Sequence, residues 1–258
     1  MDKNLLLNVF ISIVLSFALL SGCGTGDGQR ASTEAPRKIP LIGKDLSAFR
    51  DDTGQWQVVG KAVMDPANTK KIATDPGAGI IINGPDGRTV NLFSKERFGD
   101  ILAHIEFMIP EKSNSGVYFM GRYELQIYDS YGVKESEYPG IECAGIYQRW
   151  DKNRTPKGFE GHSPLVNASR PPGQWQSFDV VFRAPRFDDE GNKTANARFE
   201  QVRHNDVVVH KSVELTGPTR AAAYSDEKPT GPLMLQGDHG YVAYRNVWIV
   251  ALQESRGI

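Results

Sequence analysis

The segment Gly121-Arg122-Tyr123-Glu124-Leu125-Gln126-Ile127-Tyr128-Asp129-Ser130 decides the fold. Side chains alternate across a strand, so Tyr123, Leu125 and Ile127 form one apolar face while Arg122, Glu124, Gln126 and Tyr128 share the other. The first face belongs on a core. The second sets a cation, a carboxylate and an amide side by side. A bulge after Gln126 would turn Asp129 onto that polar face too, so that Glu124 and Asp129 address one ligand. A solvated strand face with an ordinary Arg–Glu pair is the plainer alternative.

The same period recurs on both sides of this segment. Ser115–Met120 precedes it across a tight turn at Gly121. Ile101, Ala103, Ile105, Phe107 and Ile109 alternate with His104 and Glu106, and Phe178, Val180 and Phe182 alternate with Asp179 and Val181. Trp56–Met64, Pro232–Gln236 and Tyr241–Leu252 read as strands, and Arg198–Arg203 and Val207–Lys211 flank a hairpin turn at His204-Asn205-Asp206. Few stretches carry helical period. Short strands separated by Gly, Pro, Asn and Asp predict an all-β protein, a sandwich or jelly roll. No linker interrupts Pro40–Leu252, so one domain over residues 41–253 is expected.

The amino end reads differently. Lys3 is followed by an apolar run from Leu5 to Leu20, short for a membrane span but suited to a signal peptide over residues 1–22. It ends Leu20-Ser21-Gly22-Cys23, the pattern at which a bacterial lipoprotein is lipidated on its thiol and cut. A secretory peptide with an incidental Cys is the alternative. Acylated Cys23 would carry more than one chain and anchor the protein stably. Residues 23–40, rich in Gly, Ser, Thr and Pro, would be a flexible linker, without the acidic block that would hint at surface export. The expected location is the cell envelope, facing the periplasm, with the membrane as a partner through Cys23. Cys143 is then the one free thiol, so no internal disulfide forms.

Composition excludes several classes. The 258 residues carry 30 basic and 31 acidic side chains, a net charge of −1, with no basic stripe for nucleic acid. Hydrophobic content of 40% supports a real core. No His or Cys pair has zinc spacing, no phosphate loop precedes a helix, and no Gly-x-Ser-x-Gly elbow is present. The sequence requires no cofactor and offers no metal ligand set, and it leaves a divalent cation open.

Two further segments carry polar groups. Gly231-Pro232-Leu233-Met234-Leu235-Gln236-Gly237-Asp238-His239-Gly240 runs an apolar strand into a Gly-bracketed Asp-His. His239 is the side chain poised to exchange a proton near neutrality, or else it only caps a turn. Asn167-Ala168-Ser169-Arg170-Pro171-Pro172-Gly173 is a rigid loop in which Arg170 could meet a polar ligand. Tyr118, Tyr147, Trp150 and Tyr241 are aromatics suited to a sugar-binding groove, though each alone is more often core.

Together these motifs resemble the 3-keto-disaccharide hydrolase domain family. The matching pieces are Leu41-Ile42-Gly43-Lys44-Asp45-Leu46-Ser47, Asn114-Ser115-Gly116-Val117-Tyr118, Gly121 through Ser130, Asn167 through Gly173, Ala184-Pro185-Arg186-Phe187, and Gly231 through Gly240 followed by Arg245-Asn246-Val247-Trp248. In order they span nearly all of Pro40–Leu252. One departure is Ala144-Gly145-Ile146-Tyr147, where the family more often has Gly-Ala-Ile-Tyr. The resemblance implies a concanavalin A-like β-sandwich of two curved antiparallel sheets, with an oligosaccharide or glycoside substrate in a groove. Glucanases of that architecture use Glu-x-Asp-x-x-Glu. Here the frame reads Glu124-Leu125-Gln126-Ile127-Tyr128-Asp129, which argues against plain retaining hydrolysis.

The chemistry implied is cleavage of a glycoside already oxidised at C3: proton abstraction at C2, elimination of the C1 oxygen, then hydration. Such a site needs a base, an enolate stabiliser and an acid. Glu124 is the expected base with His239 as second choice, Arg122 the enolate partner, and Asp129 or His239 the acid. Gln126, Gln236, Asn114 and Arg170 would hold hydroxyls, with Tyr147 and Trp150 as aromatic platforms. A lectin-like module that binds glycans without cutting them is the main competing reading, and a conventional endo-glucanase a weaker one.

Overall fold

The structure, a computed structural model, describes residues 37–134 and 142–252. The expected signal peptide, Cys23 and most of the linker lie outside them. All described residues fall within Pro36–Ile258, one of two units into which the chain divides.

Among the described residues, sixteen strands run in chain order as β1 (Lys38–Pro40), β2 (Gln57–Asp65), β3 (Asn68–Ile82), β4 (Leu92–Phe98), β5 (Ile101–Met108), β6 (Asn114–Phe119), β7 (Tyr123–Tyr128) and β8 (Arg149–Trp150). They continue as β9 (Gly158–Phe159), β10 (Gln176–Arg183), β11 (Arg186–Phe187), β12 (Lys193–Ala195), β13 (Ala197–His204), β14 (Val207–Leu215), β15 (Gly231–Leu235) and β16 (Ala243–Ala251). An eight-stranded antiparallel sheet has the order β14-β13-β10-β5-β16-β3-β2, with β1 beside β16. A second sheet has the order β4-β15-β6-β7. Bridges from Leu125 to Ile146, from Ile146 to His162 and from Phe49 to Ser94 widen it on both sides. The architecture is the expected all-β sandwich.

The two sheets meet over the apolar faces that alternation defined. Tyr123, Leu125, Ile127, Val117, Phe119, Leu233 and Leu235 of the smaller sheet pack on Ile105, Phe107, Phe178, Val180, Phe182 and Phe199 of the larger. Phe119 lies 5.2 Å from Phe182 and 5.1 Å from Phe199, ring to ring, tying the sheets together. Strict alternation fails in β16, at a register shift. Between Arg245 and Trp248 the ladder slips, Asn246 takes φ 47°, and both Tyr244 and Val247 face the core. Such bulges re-aim side chains without breaking a sheet.

Two turns follow local chemistry. Met120 (φ 58°) and Gly121 (φ 65°) join β6 to β7, and Asn205 (φ 50°) and Asp206 (φ 68°) join β13 to β14. Positive φ at both central residues matches the twist of a two-residue hairpin. His204, expected in the second turn, instead ends β13 and is buried. The strand β3 was not legible, because Asp75-Pro76-Gly77-Ala78-Gly79 reads as a turn. Here the β2–β3 register shifts between Val59 and Lys61, and the strands approach closely because Gly60 and Gly77 lack Cβ atoms: one built on Gly77 would lie 2.6 Å from the Gly60 Cα.

The outer face of the larger sheet carries an ion cluster. His104 Nδ1 is 2.7 Å from Asp179 Oδ1 and its Nε2 is 3.5 Å from Glu106 Oε1. Arg245 Nε donates to Glu106 Oε2 at 2.7 Å, Asn246 Nδ2 to Oε1 at 2.9 Å, and Trp248 stacks on the imidazole at 5.2 Å. Burial alone would lower the pKa of His104, but its hydrogen bonds to Asp179 and then Glu106 raise it to about 9. A folded pKa raised from 6.5 contributes stability fully present below pH 6.5 and lost as pH rises through about 9. His104→Gln is therefore expected to cost roughly 2–3 kcal/mol at pH 6 and much less at pH 9.5, read by denaturant titration at both values. An equal loss at both would refute the ionic account.

Candidate active site

The smaller sheet turns its other face away from the core, and register fixes which side chains share it. Phe93 pairs with Met234, Met234 with Tyr118, and Tyr118 with Glu124. The bridge between Leu125 and Ile146 places Tyr147 beside Glu124, and the bridge between Phe49 and Ser94 places Arg50 beside Phe93. One row thus crosses the whole sheet: Arg50, Phe93, Met234, Tyr118, Glu124, Tyr147. A second row beside it runs Asn91, Gln236, Gly116, Gln126, Gly145, held by hydrogen bonds from Gln236 N to Gly116 O and from Gln126 N to Gly145 O.

Glu124 is the centre of this face. Only 3% of it is exposed, so the polar face is covered rather than solvated. Gly116 makes room for its carboxyl, since a Cβ there would fall 2.4 Å from Glu124 Oε1. Burial raises the Glu124 pKa to about 8; the hydrogen bond from the Tyr118 phenol opposes this, and the charge of Asp238 adds to it. A carboxyl poised there can take or give a proton near neutrality. Burial, followed by the nearby charge of Glu124, holds the Tyr118 phenol well above its usual value, so it stays a neutral donor.

Amides surround the carboxyl. Gln126 Nε2 lies 3.4 Å from Asn114 Oδ1, and Gln236 Nε2 lies 3.4 Å from the Tyr118 hydroxyl. Gln236 Oε1 is buried with no hydrogen-bond partner. Buried polar atoms are normally satisfied, so an orphan acceptor marks where a ligand donor fits. At the rim, Asp238 Oδ1 and His239 Nδ1 are 2.6 Å apart, both about half exposed. Asp238 joins this pair electrostatically to Glu124, and His239 does not bond the carboxyl itself.

Four expectations are corrected by geometry. Arg122 is on the Glu124 face but committed elsewhere. Its Nη2 donates to Asp226 Oδ1 at 2.9 Å, its Nη1 to Met120 O at 2.8 Å, its Nε to Asp226 O, and Tyr224 stacks on it at 4.7 Å. It pins the segment around residues 219–227, and each of its three nitrogens already donates to protein. Asp129 does not join the face, because the β6–β7 register runs unshifted from Phe119/Tyr123 to Asn114/Tyr128 and no bulge forms. Its Oδ2 instead accepts from Lys112 N at 2.8 Å, where Lys112 takes φ 58°. Arg170 is exposed, its Nη1 donating to Trp175 O at 2.9 Å at the end of the larger sheet. Trp150 stands on exposed β8 under the Arg220 guanidinium, 4.1 Å from its ring.

Gln126 lies on the Glu124 face, as alternation expects, and register puts Gln236, Asn114 and Tyr147 there too. Tyr118, expected only as an aromatic for a sugar groove, joins them, as do Asp238 and Gly116, to which sequence reasoning gave no role. Alternation through Asn114–Tyr118 held that signal, because Tyr118 and Gly116 must share a face with Glu124 once the hairpin closes. Of the other aromatics, Tyr241 is spent on Pro85 O and Gly87. Cys143 is buried, its thiol pushed up to about 12 by burial, and so is unreactive packing. Ala144, at the departure from the family pattern, takes φ 66°, a conformation glycine adopts more readily. Among the described residues, no group of three or more His, Cys, Asp or Glu is placed to hold a metal ion.

Comparison with known proteins adds to this geometry. No curated protein sequence matches the chain. A crystal structure described as a candidate glycosyl hydrolase from Parabacteroides distasonis ATCC 8503 is similar with a TM-score of 0.59 at 24% identity, covering 90% of this chain and 100% of that one. A second from the same organism, described in the same words, has a TM-score of 0.51 at 17% identity, covering 84% and 100%. These likenesses speak to the fold. The model of the 3-keto-alpha-glucoside-1,2-lyase-like domain matches residues 38–250, nearly the whole described region. The chain belongs to that family, a family of carbohydrate-active enzymes.

Proposed function

We propose that this protein cleaves glycosides of 3-keto sugars by elimination across C1 and C2, followed by hydration. The observation that carries the reading is Glu124: a carboxyl with pKa raised to about 8, on the polar face of the smaller sheet, next to the unpartnered Gln236 Oε1. The ketone at C3 acidifies the C2 proton. Glu124 takes that proton, and the C2–H electron pair becomes the enolate. The enolate then collapses to a C1–C2 double bond and expels the C1 oxygen, which leaves as an alcohol after gaining a proton. Water adds back, hydroxyl to C1 and hydrogen to C2, so the net change is hydrolysis.

With Arg122 committed to Asp226, the enolate oxygen falls to neutral donors on the same face, the amides of Gln236 and Gln126 and the Tyr118 phenol. Preorganised donors in a buried site suit a charge that appears only in the transition state. In this reading the Asp238–His239 pair at the rim protonates the leaving oxygen. The half-exposed setting of that pair fits an aglycone departing toward solvent.

The direct test is to incubate the purified domain with 3-keto-trehalose and with an aryl 3-keto-glucoside, with and without chelator. Release of the aglycone supports the reading. Tight binding of unmodified glycans with no product from either substrate would favour a binding module and reject it. Anchoring through Cys23 stays part of the same proposal: palmitate labelling of expressed protein should be lost in Cys23→Ser, and labelling that persists would refute it.

A further inference from the structure

We propose that the ribbon built from β8 and β9 is a docking arm for an anionic phospholipid surface. Its two strands run in one unbroken register from the Ile146–His162 bridge through Arg149–Phe159 to Trp150–Gly158. The base is held to the smaller sheet by the Leu125–Ile146 bridge and by the hydrogen bond from Tyr147 N to Glu124 O. Arg220 N braces the middle, donating to Gln148 O at 2.7 Å. The tip, residues 151–157, begins about 13 Å beyond the base, at roughly 3.3 Å per residue of strand.

Positive charge concentrates at that tip. Lys152, Arg154 and Lys157 are exposed there, against one acid, Asp151, whose Oδ1 accepts from Asn153 N at 2.8 Å. Arg154 covers the Phe159 ring at 3.7 Å, and exposed Arg220 covers Trp150 at 4.1 Å. None of these four cations forms an ion pair among the described residues, whereas Arg149 is spent on Glu160 and Thr216. The whole chain carries a net charge of −1, so the patch is a local feature of this arm.

Three features favour a lipid surface as the partner. Every residue from 152 to 157 is exposed, so the tip is a projecting turn that fits a flat surface better than it encloses a chain. Trp150 is 45% exposed at the root of the turn, and Trp beside Lys and Arg is the composition that settles at the level of lipid headgroups. Acylation of Cys23, proposed above, would hold Lys38 within about 50 Å of a membrane even with the chain between them fully extended. The arm would then meet headgroups at high effective concentration. Contact through the tip would keep the Tyr147 end of the Glu124 face beside the bilayer, an orientation that a flexible tether alone does not set.

The charge and shape of the arm are testable without the anchor. Residues 36–258 carry both sheets and the core, and form a unit free of Cys23 and the apolar amino end. This unit should sediment with vesicles of equal parts phosphatidylglycerol and phosphatidylcholine at about 0.1 M salt, and not with phosphatidylcholine alone. Binding should vanish at about 1 M salt, where the screening length falls from about 10 Å to about 3 Å. The triple variant Lys152→Ala, Arg154→Ala, Lys157→Ala should bind roughly a hundredfold more weakly, at about fivefold per cation. Should it fail to fold, the double variant Lys152→Gln, Lys157→Gln leaves Arg154 on Phe159 and should lose roughly twentyfold. Lys44→Ala, Lys70→Ala, Lys71→Ala removes the same charge from exposed sites elsewhere and should bind as the wild type does. No affinity for the anionic vesicles, or an equal loss in that control, overturns the docking arm. So does capture of soluble polygalacturonate by a domain that ignores the vesicles, which would make the patch a site for acidic glycans. Loss of palmitate labelling bears on Cys23 alone, so the anchor and the arm stand or fall separately.

Discussion

Glu124→Gln should abolish aglycone release from 3-keto-trehalose, by 10²–10⁴-fold or more in kcat, and leave a folded protein. The amide keeps the carboxyl's shape in the space left by Gly116 and can still accept from Tyr118, but it takes no proton. The same substitution should raise stability in alkali. The folded pKa of Glu124 is about 8, above the ordinary 4.5, so its protonation supports folding fully below pH 4.5, and that support is lost as pH rises through about 8. Gln has no such loss. The variant should therefore gain on the wild type between those values and be more stable at pH 9 by roughly 2–4 kcal/mol. In the wild type, kcat/KM should rise with pH through the same value, since the base acts deprotonated. Near-normal turnover by the variant would remove Glu124 from catalysis. A kcat/KM that falls through pH 8 would make it an acid instead of a base.

Arg122→Ala should destabilise the fold by about 2–4 kcal/mol, because it strands the Met120 and Asp226 carbonyls and empties the space under Tyr224. At the size of this domain that is a fall in Tm of roughly 5–15 °C. Arg122→Lys should recover little of it, since one ammonium cannot reproduce three directed donors and a planar stack. The enzyme that remains folded at low temperature should keep most of its kcat. A variant as stable as the wild type but without turnover would return Arg122 to a direct role at the enolate.

Arg122 also shows where the sequence stopped being informative. Alternation placed it correctly on the Glu124 face, as it placed Gln126 on that face and Tyr123, Leu125 and Ile127 in the core. Period two is a local property, and β5, β7 and β10 obey it without interruption. The partner of Arg122 lies 104 residues away. Nothing near position 122 announces Asp226, so the cation looked available when it was not. Asp129 failed for a different reason: a bulge is a mismatch between two strands, and no single strand encodes it. Tyr118 and Gly116 were legible in principle, since they follow from pairing the two arms of one hairpin. Asp238 was visible as part of a Gly-bracketed motif, but its influence on Glu124 comes from β15 meeting β6, a contact between segments about 120 residues apart.

The most direct test of the central claim is turnover of 3-keto-trehalose in D₂O, with the deuterium content at C2 of the released 3-keto-glucose read by NMR or mass spectrometry and corrected for exchange in buffer alone. Elimination and hydration with Glu124 as base predict deuterium at C2 in step with product, and neither product nor enzyme-dependent exchange in Glu124→Gln. Product that forms at the enzymatic rate with protium retained at C2 would mean direct displacement at C1, and would contradict the account.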